Sequence, residues 1–263
     1  MNHLLDLKTY PLDRPDSPEY ASLVKKCQED LDAEGMFNLP GFFKPGVAQA
    51  AAEAAKPKMA TESFRHARLH NVYFKDTMPG ISDDHPAMAK LKTVNHALCA
   101  DQLQGNAVID VYEWAPFAAF LAAAMGKDKL YTMDDKLARV NLQATREGEG
   151  LNWHFDRSEF TTTILLQAPV EGGQLEYRKN LRTADDQNYE GVADVLLGKD
   201  PKIKQIMPEA GALNVFRGVN TAHRVVPVRG DIDRMIAIFA FFDRPGIVFS
   251  EDEQMGFYGR TLA

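Results

Sequence analysis

The sequence is short of cysteine, of long apolar runs and of any excess of positive charge, and each shortage excludes something. Its two cysteines, Cys27 and Cys99, stand far apart and show no metal-ligand spacing. Neither a disulfide framework nor a zinc knuckle fits them, and a reducing compartment follows as the expectation. No window approaches the roughly 18 apolar residues of a membrane span, and Met1 to Tyr10 has no apolar stretch of signal-peptide length, so a cytoplasmic protein with no membrane partner is expected. The 30 Lys and Arg are outnumbered by 37 Asp and Glu, giving a formal net charge of −7 with both signs scattered along the chain. Nucleic-acid binders concentrate cations on one surface, so a nucleic-acid partner is not expected and a small-molecule substrate is. There is no internal repeat and no low-complexity tract.

What is present suits a globular domain: 263 residues, 45% hydrophobic and 10% aromatic, enough for one core. Residues 1–263 read as a single domain, with a mainly helical flank over 1–135, a strand-rich core over 136–246 and a C-terminal tail over 247–263. In the flank, Ser17-Pro18 supplies an N-cap and a first-turn proline, and Tyr20, Leu23, Val24, Cys27 and Leu31 recur at helical spacing until Gly35. Met36 to Phe43 reads as a short strand broken by Pro40-Gly41. Pro45 opens an alanine-rich helix that Pro57 is expected to close. Thr61 to Asp84 reads as irregular, while Pro86 to Cys99 and Trp114 to Met125 read as helices, the second ending at Gly126. The alanine-rich helices offer a surface for a homodimer.

From Lys136 the texture changes to strands: Leu137–Ala144, Thr161–Gln167, Gln174–Tyr177, Ala212–Phe216, His223–Val228 and Met235–Phe242, with turn signals such as Glu171-Gly172-Gly173 between them. Asp185 to Lys199 interrupts them with helical spacing at Tyr189, Val192, Val195 and Leu196. Many short strands after helices favour a sandwich or barrel over a doubly wound sheet. Within this half, His154 and Asp156 lie two residues apart on an extended segment and so share a side, because side chains alternate with period two. His223 opens a later strand. Two histidines and one carboxylate make a facial triad for non-haem Fe(II) that leaves open positions; a local His-Asp hydrogen bond is the plainer alternative. Arg234 heads a very apolar strand, where a guanidinium needs a partner: Asp231, Asp233 or the carboxylate of a bound molecule in bidentate geometry. His66 and His70 have helical spacing without a third ligand, and His85 and His96 read as surface or capping residues.

The pattern Leu151-Asn152-Trp153-His154-Phe155-Asp156, Gly172-Gly173-Gln174-Leu175-Glu176-Tyr177, Gly211-Ala212-Leu213, Phe216-Arg217-Gly218, His223-Arg224-Val225 and Arg234 resembles the Fe(II)/2-oxoglutarate-dependent oxygenases. More narrowly it is similar to the branch of free-amino-acid hydroxylases and carbon halogenases. The resemblance is clearest from Asn141 to Gly246, and Asp32 to Phe42 resembles the first strand of the same superfamily. It implies an α+β, mainly β fold, a double-stranded β-helix (jelly roll, cupin-like) braced by N-terminal helices. It also implies Fe(II), 2-oxoglutarate and O2 as cofactors and co-reactants, His154, Asp156 and His223 as metal ligands, and Arg234 as the arginine for the distal carboxylate of 2-oxoglutarate. Asn141 and Thr163 face the cosubstrate pocket by alternation.

Halogenases of this kind replace the metal-binding carboxylate with Gly or Ala; this chain keeps Asp156, which implies hydroxylation of an unactivated C–H bond. For a substrate that is a free amino acid or a derivative, Arg68, His70, Arg157 and Glu176 are the candidate contacts, with Arg65 to Lys75 or Asp185 to Lys199 as a covering segment. Three alternatives stay open at this point. They are the same chemistry on a peptide or protein, a non-catalytic β-barrel that binds a small molecule, and a cupin-type hydrolase or isomerase.

Overall fold

A computed structural model describes residues 1–262. The Ser17 side chain accepts a hydrogen bond from Tyr20 N–H at 3.1 Å, Pro18 occupies the first turn, and α1 (Pro18–Glu34) ends at Gly35, whose φ of 77° a side chain would disfavour. The chain continues through β1 (Met36–Leu39), α2 (Val47–Thr61), β2 (Phe64–His70), β3 (Leu91–Cys99), α3 (Ala107–Glu113) and α4 (Ala115–Ala124). Then come β4 (Tyr131–Thr132), β5 (Val140–Thr145), β6 (Leu151–His154), β7 (Thr161–Gln167) and β8 (Leu175–Arg178). Last are α5 (Tyr189–Leu196), β9 (Lys204–Ile206), β10 (Leu213–Phe216), β11 (Ala222–Val225), β12 (Arg234–Phe239), β13 (Phe241–Phe242) and α6 (Glu251–Tyr258).

The pairing between these strands is antiparallel. It gives a seven-stranded sheet in the order β1-β10-β7-β12-β5-β3-β2, a four-stranded sheet β6-β11-β8-β9 and a small β13-β4 ribbon. This is the jelly roll with N-terminal helices that the resemblance implies.

The large sheet has two chemically different faces. Phe37, Leu39, Leu98, Leu142, Ile164, Val215, Ala237 and Phe239 pack into one apolar core with α1, α2, α3 and α4, through side chains such as Leu31, Met59, Val111, Phe117 and Phe120. Alternation sends the intervening residues the other way. The strand register puts Asn38, Asn214, Thr163, Ile238 and Asn141 in one row across that opposite face. The small sheet covers this polar face: Leu175 and Tyr177 of β8 meet Met36 and Phe216 of the large sheet. The space between the sheets is therefore lined by polar groups on the face opposite the one that α1 to α4 cover.

Several sequence expectations are corrected. Pro86–Cys99 is not a helix: a 3₁₀ turn covers Pro86–Met88, and Leu91–Cys99 is a strand hydrogen-bonded on both edges, to β2 and β5. Thr93 to Cys99 are all buried, so no alternation marks the strand, and burial on both faces mimics a buried helix in sequence. Thr61 to Asp84 is irregular only after His70: Phe64–His70 is β2, an edge strand with mostly exposed side chains, and the loop follows it. His66 and His70 thus lie on a strand, not at a helical metal spacing. Pro57 lies inside α2 rather than ending it. The carbonyl it leaves unbonded belongs to Glu53, which is exposed to solvent, and Met59 in the following turn anchors the helix in the core. His85 does cap, accepting from Ala87 N–H at 3.1 Å. His96 is buried, with Nε2 3.2 Å from Glu149 Oε1.

The segment 247–263 is not merely a tail; its last residue lies outside the described residues. Ser250 and Glu253 form a capping box for α6, which ends at Gly259. Buried Tyr258 then donates its hydroxyl hydrogen to Asn141 Oδ1 at 2.9 Å. Among the described residues no single helix is long and apolar enough to cross a membrane.

Candidate active site

His154 ends β6 and His223 sits in β11, directly opposite it in the register. Asp156 lies just past the strand end, yet its side chain returns to the same side. Its Oδ1 is 3.6 Å from His154 Nε2 and 3.4 Å from His223 Nε2. One ligand atom from each of the three residues falls within 4.8 Å of the others. Each imidazole is aimed by a backbone carbonyl on its far side: His154 Nδ1–H donates to Asn152 O at 2.7 Å, and His223 Nδ1–H to Thr221 O at 3.0 Å. Both Nε2 atoms are left facing the third ligand, the arrangement that fixes the tautomer of metal-binding histidines.

Asp156 is restrained from two sides. Thr161 Oγ1 donates to its Oδ2 at 2.5 Å, which leaves Oδ1 for the ligand position. Gly218 lies so close that a Cβ there would overlap Oδ2, and Gly218 O accepts from Asp156 N–H at 3.1 Å. Burial lowers the His154 pKa to about 3, with His223 adding to the effect. Burial alone would raise the Asp156 carboxyl, but the adjacent His223, His154 and Thr161 outweigh it and hold the group below the usual carboxylate range. Burial opposes the charge on His223, and Asp156 outweighs that too and raises it. His154 and Asp156 are thereby held in the forms that bind a metal, a neutral imidazole and an ionised carboxylate.

Arg234 opens β12 on the polar side of the large sheet, packed against Gly173. It is buried, its Nε has no hydrogen-bond partner, and no carboxylate pairs with it among the described residues. Burial lowers its pKa to about 10. The salt bridge to Asp231 or Asp233 that the sequence allowed is not made; Asp233 lies instead 3.7 Å from Arg146. Asn38 Nδ2 and Asn214 Oδ1, in the polar row of the same face, are also buried and unpaired. Three orphaned polar groups facing one interior are what an enclosed polar guest would satisfy.

The remaining sequence candidates divide. Thr163 takes its place in that row, with its hydroxyl 3.4 Å from Asn214 O. Asn141 is in the same row, but its amide is spent on Leu137 O and Tyr258, so it braces α6 against the sheet. Arg68 stacks on Phe74 at 4.6 Å, and the Phe74 ring is 5.9 Å from that of His154. Arg157 is exposed and paired with Glu253 at 2.8 Å.

Two candidates have their polar atoms already engaged. His70 lies close to the cluster, its ring 6.4 Å from that of His154, but both ring nitrogens are occupied, Nδ1–H donating to Asn71 O at 2.8 Å and Nε2 accepting from Thr93 Oγ1 at 2.6 Å. Glu176 points to the outer face of the small sheet, because Tyr177 beside it is opposite His223, and it pairs with Arg224 at 2.7 Å. Sequence reading missed Thr161, which no spacing marks. It also missed the role of Gly218, whose glycine was the available signal, and Phe74, which is 43% exposed beside a ligand and held at φ 55°, a conformation costly for a non-glycine.

A double-stranded β-helix carrying a His-Asp-His cluster between its sheets defines the class, and solved structures share the fold. A 2OG-Fe(II) oxygenase family oxidoreductase from Burkholderia pseudomallei aligns with a TM-score of 0.51 at 13% identity, over 85% of this chain and 92% of that one. The non-heme alpha ketoglutarate dependent epimerase SnoN from nogalamycin biosynthesis aligns at 0.56 and 16%, over 85% and 82%. The same epimerase in complex with Fe3+, alpha ketoglutarate and nogalamycin RO aligns at 0.53 and 14%, over 85% and 84%. The Halogenase D family model matches residues 20–246, and the chain belongs to that family, within the Fe(II)/2-oxoglutarate-dependent oxygenases. No curated protein sequence matches it. The site fits Fe(II): two imidazoles and one carboxylate are the donor set of non-haem iron sites that keep positions open.

Proposed function

We propose that the protein is an Fe(II)/2-oxoglutarate-dependent dioxygenase that hydroxylates an unactivated C–H bond of a small polar metabolite, a free amino acid or a derivative of one, releasing succinate and CO2. The observation that carries this reading is the buried, unpaired Arg234 guanidinium on the same interior as the His154, Asp156 and His223 cluster. A dicarboxylate cosubstrate supplies the missing anion, and the planar fork of Arg234 suits bidentate contact with it. When bound, Fe(II), 2-oxoglutarate and O2 together supply the oxidant for the C–H bond.

The chain's own residues do the rest. His154 and His223 present Nε2, and Asp156 presents Oδ1 while Thr161 holds Oδ2. Thr163 contributes a hydroxyl to the cosubstrate side, and Arg68, stacked on Phe74 beside His154, supplies positive charge there. Asp156 fills the ligand position that halogenases of this branch leave to a halide, which favours hydroxylation despite the family's name. The segment Asp185 to Lys199 packs beside the site: α5 buries Val192 and Val195 in one cluster with Val72, Trp153 and Phe155, next to the end of β6 that carries the ligands.

Anaerobic mixing with Fe(II) and 2-oxoglutarate is expected to give a weak visible charge-transfer band, and a colourless mixture with folded protein overturns the proposal. A succinate-release screen comparing free amino acids with peptides then separates the two substrate classes.

A further inference from the structure

The end of the small sheet that carries the metal ligands opens into a cavity of about 670 Å3, within the roughly 300–1,000 Å3 of small-molecule sites. Its walls include the continuations of β6 and β11, which carry the ligand histidines, and of β8 beside them. Glu159 follows Asp156, Val219 and Asn220 lead into β11, and Arg182 to Ala184 lead out of β8. Tyr73 and Lys75, on either side of Phe74, close the opposite wall, and Tyr189 of α5 forms the roof.

The charges in this cavity are unbalanced. Arg182 is half-buried and lies flat on Phe155, the residue between His154 and Asp156, with its guanidinium carbon 3.9 Å from the ring centre. Nε donates to Val219 O at 2.9 Å and Nη1 to Gln187 Oε1 at 3.3 Å. The guanidinium is thereby oriented without being neutralised. No carboxylate pairs with Arg182 or with Lys75 among the described residues. The lining acid Glu159 is engaged by Lys127 at 2.5 Å, and Asp186 of the adjoining loop accepts from Asn188 N–H. A rigidly held, half-buried guanidinium with donors to spare is a receptor for an oxyanion.

We propose that this cavity is a subsite for an anionic group of the substrate, a carboxylate or a phosphate, gripped by Arg182 with Lys75. This deepens the oxygenase reading and rests on it only in calling the guest a substrate. The anion is placed beside Phe155, on which Arg182 stacks, while Arg234 lies at the start of β12 in the large sheet. The cosubstrate's carboxylate and the substrate's anion therefore meet different arginines.

The test is ligand-observed NMR titration of methyl phosphate and, separately, acetate into the anaerobic protein loaded with Fe(II) and saturating 2-oxoglutarate. One of the two is expected to bind saturably, methyl phosphate identifying a phosphate-bearing substrate and acetate a carboxylate-bearing one. Arg182→Gln and Lys75→Met each weaken that binding by about tenfold, the loss of one charge-assisted contact, and Arg182→Lys recovers part of it. Saturation by neither probe, or unchanged affinity in both variants, overturns the proposal. If Arg182→Gln does not fold, Lys75→Met decides alone, since that exposed side chain holds nothing else in place. Failure of the visible charge-transfer band overturns the oxygenase reading separately, and the same titration on the unloaded protein still decides the subsite.

Discussion

Thr161 holds one oxygen of Asp156 while the other faces both histidines: Oγ1 donates to Oδ2 at 2.5 Å, and Oδ1 stands 3.4 Å from His223 Nε2. A carboxylate fixed in this way binds a metal through one oxygen, and the hydroxyl sets which one. Thr161→Val keeps the shape and removes the donor, and is expected to weaken Fe(II) or Mn(II) binding by about 10- to 100-fold. Thr161→Ser restores it. A metal titration in which the valine variant matches the parent removes this role.

Gly218→Ala tests the same carboxylate from its other side. The added methyl occupies the position of Oδ2, so the side chain must rotate out of the cluster. Loss of metal binding with a cooperative melt retained is the expected outcome, and metal affinity equal to that of the parent contradicts it.

Arg234→Gln removes a buried cation whose Nε finds no partner inside the protein. If its partner is the cosubstrate, KM for 2-oxoglutarate rises on the order of 100-fold, the cost of leaving one side of a buried charge pair unmatched. Arg234→Lys falls between the two. An unchanged KM assigns the guanidinium to structure.

Asp135 links the C-terminal segment to the sheet: its buried carboxylate accepts from Leu137 and Ala138 N–H, from Phe249 N–H and from Gln254. Burial opposes its charge, and these donors, Gln254 first, outweigh burial and lower its pKa. A lowered folded-state pKa contributes stability above the ordinary carboxylate value, and that stability is lost as pH falls through the folded value. Asp135→Asn is therefore expected to cost about 1–2 kcal/mol at pH 7 and to shed part of the parent's loss of stability below about pH 4. Chemical denaturation at both pH values measures it; an equal gap at the two excludes the carboxylate.

Both thiols are buried, and burial pushes Cys27 up to about 12 and Cys99 up to about 11. A raised thiol pKa keeps the unreactive protonated form dominant at pH 8. A chromogenic disulfide reagent should therefore label neither cysteine in the folded protein and both in denaturant. Rapid labelling of the native state contradicts the packing.

The sequence was most legible where one physical signal acted alone. Ser17, Pro18 and Gly35 bracket α1, and Thr161–Gln167 is bounded as a strand on both sides, so their ends are found where expected. The ligand set was legible because His154 and His223 lie on strands, and Asp156, two residues past His154 and just beyond the strand end, keeps to the same side. Where two signals overlap, the reading failed. Thr93–Cys99 is buried on both faces and β2 is exposed along most of its length, so neither shows period two. The acid-rich stretch from Glu251 gave no helical stripe, because α6 buries only Tyr258. Thr161 and Arg182 act through contacts with residues distant in sequence or set by loop geometry, which no spacing encodes.

The two-faced large sheet separates two burdens that most cores combine. Phe37, Leu142, Ile164 and Val215 hold the helices on, while Asn38, Asn141, Thr163 and Asn214 alternate with them along the same strands and look into the interior. Folding and chemistry are thus written on interleaved residues. Randomising Asn38, Thr163 and Asn214 explores new pockets over an unchanged apolar core, so new specificities can be reached without first accumulating stabilising substitutions.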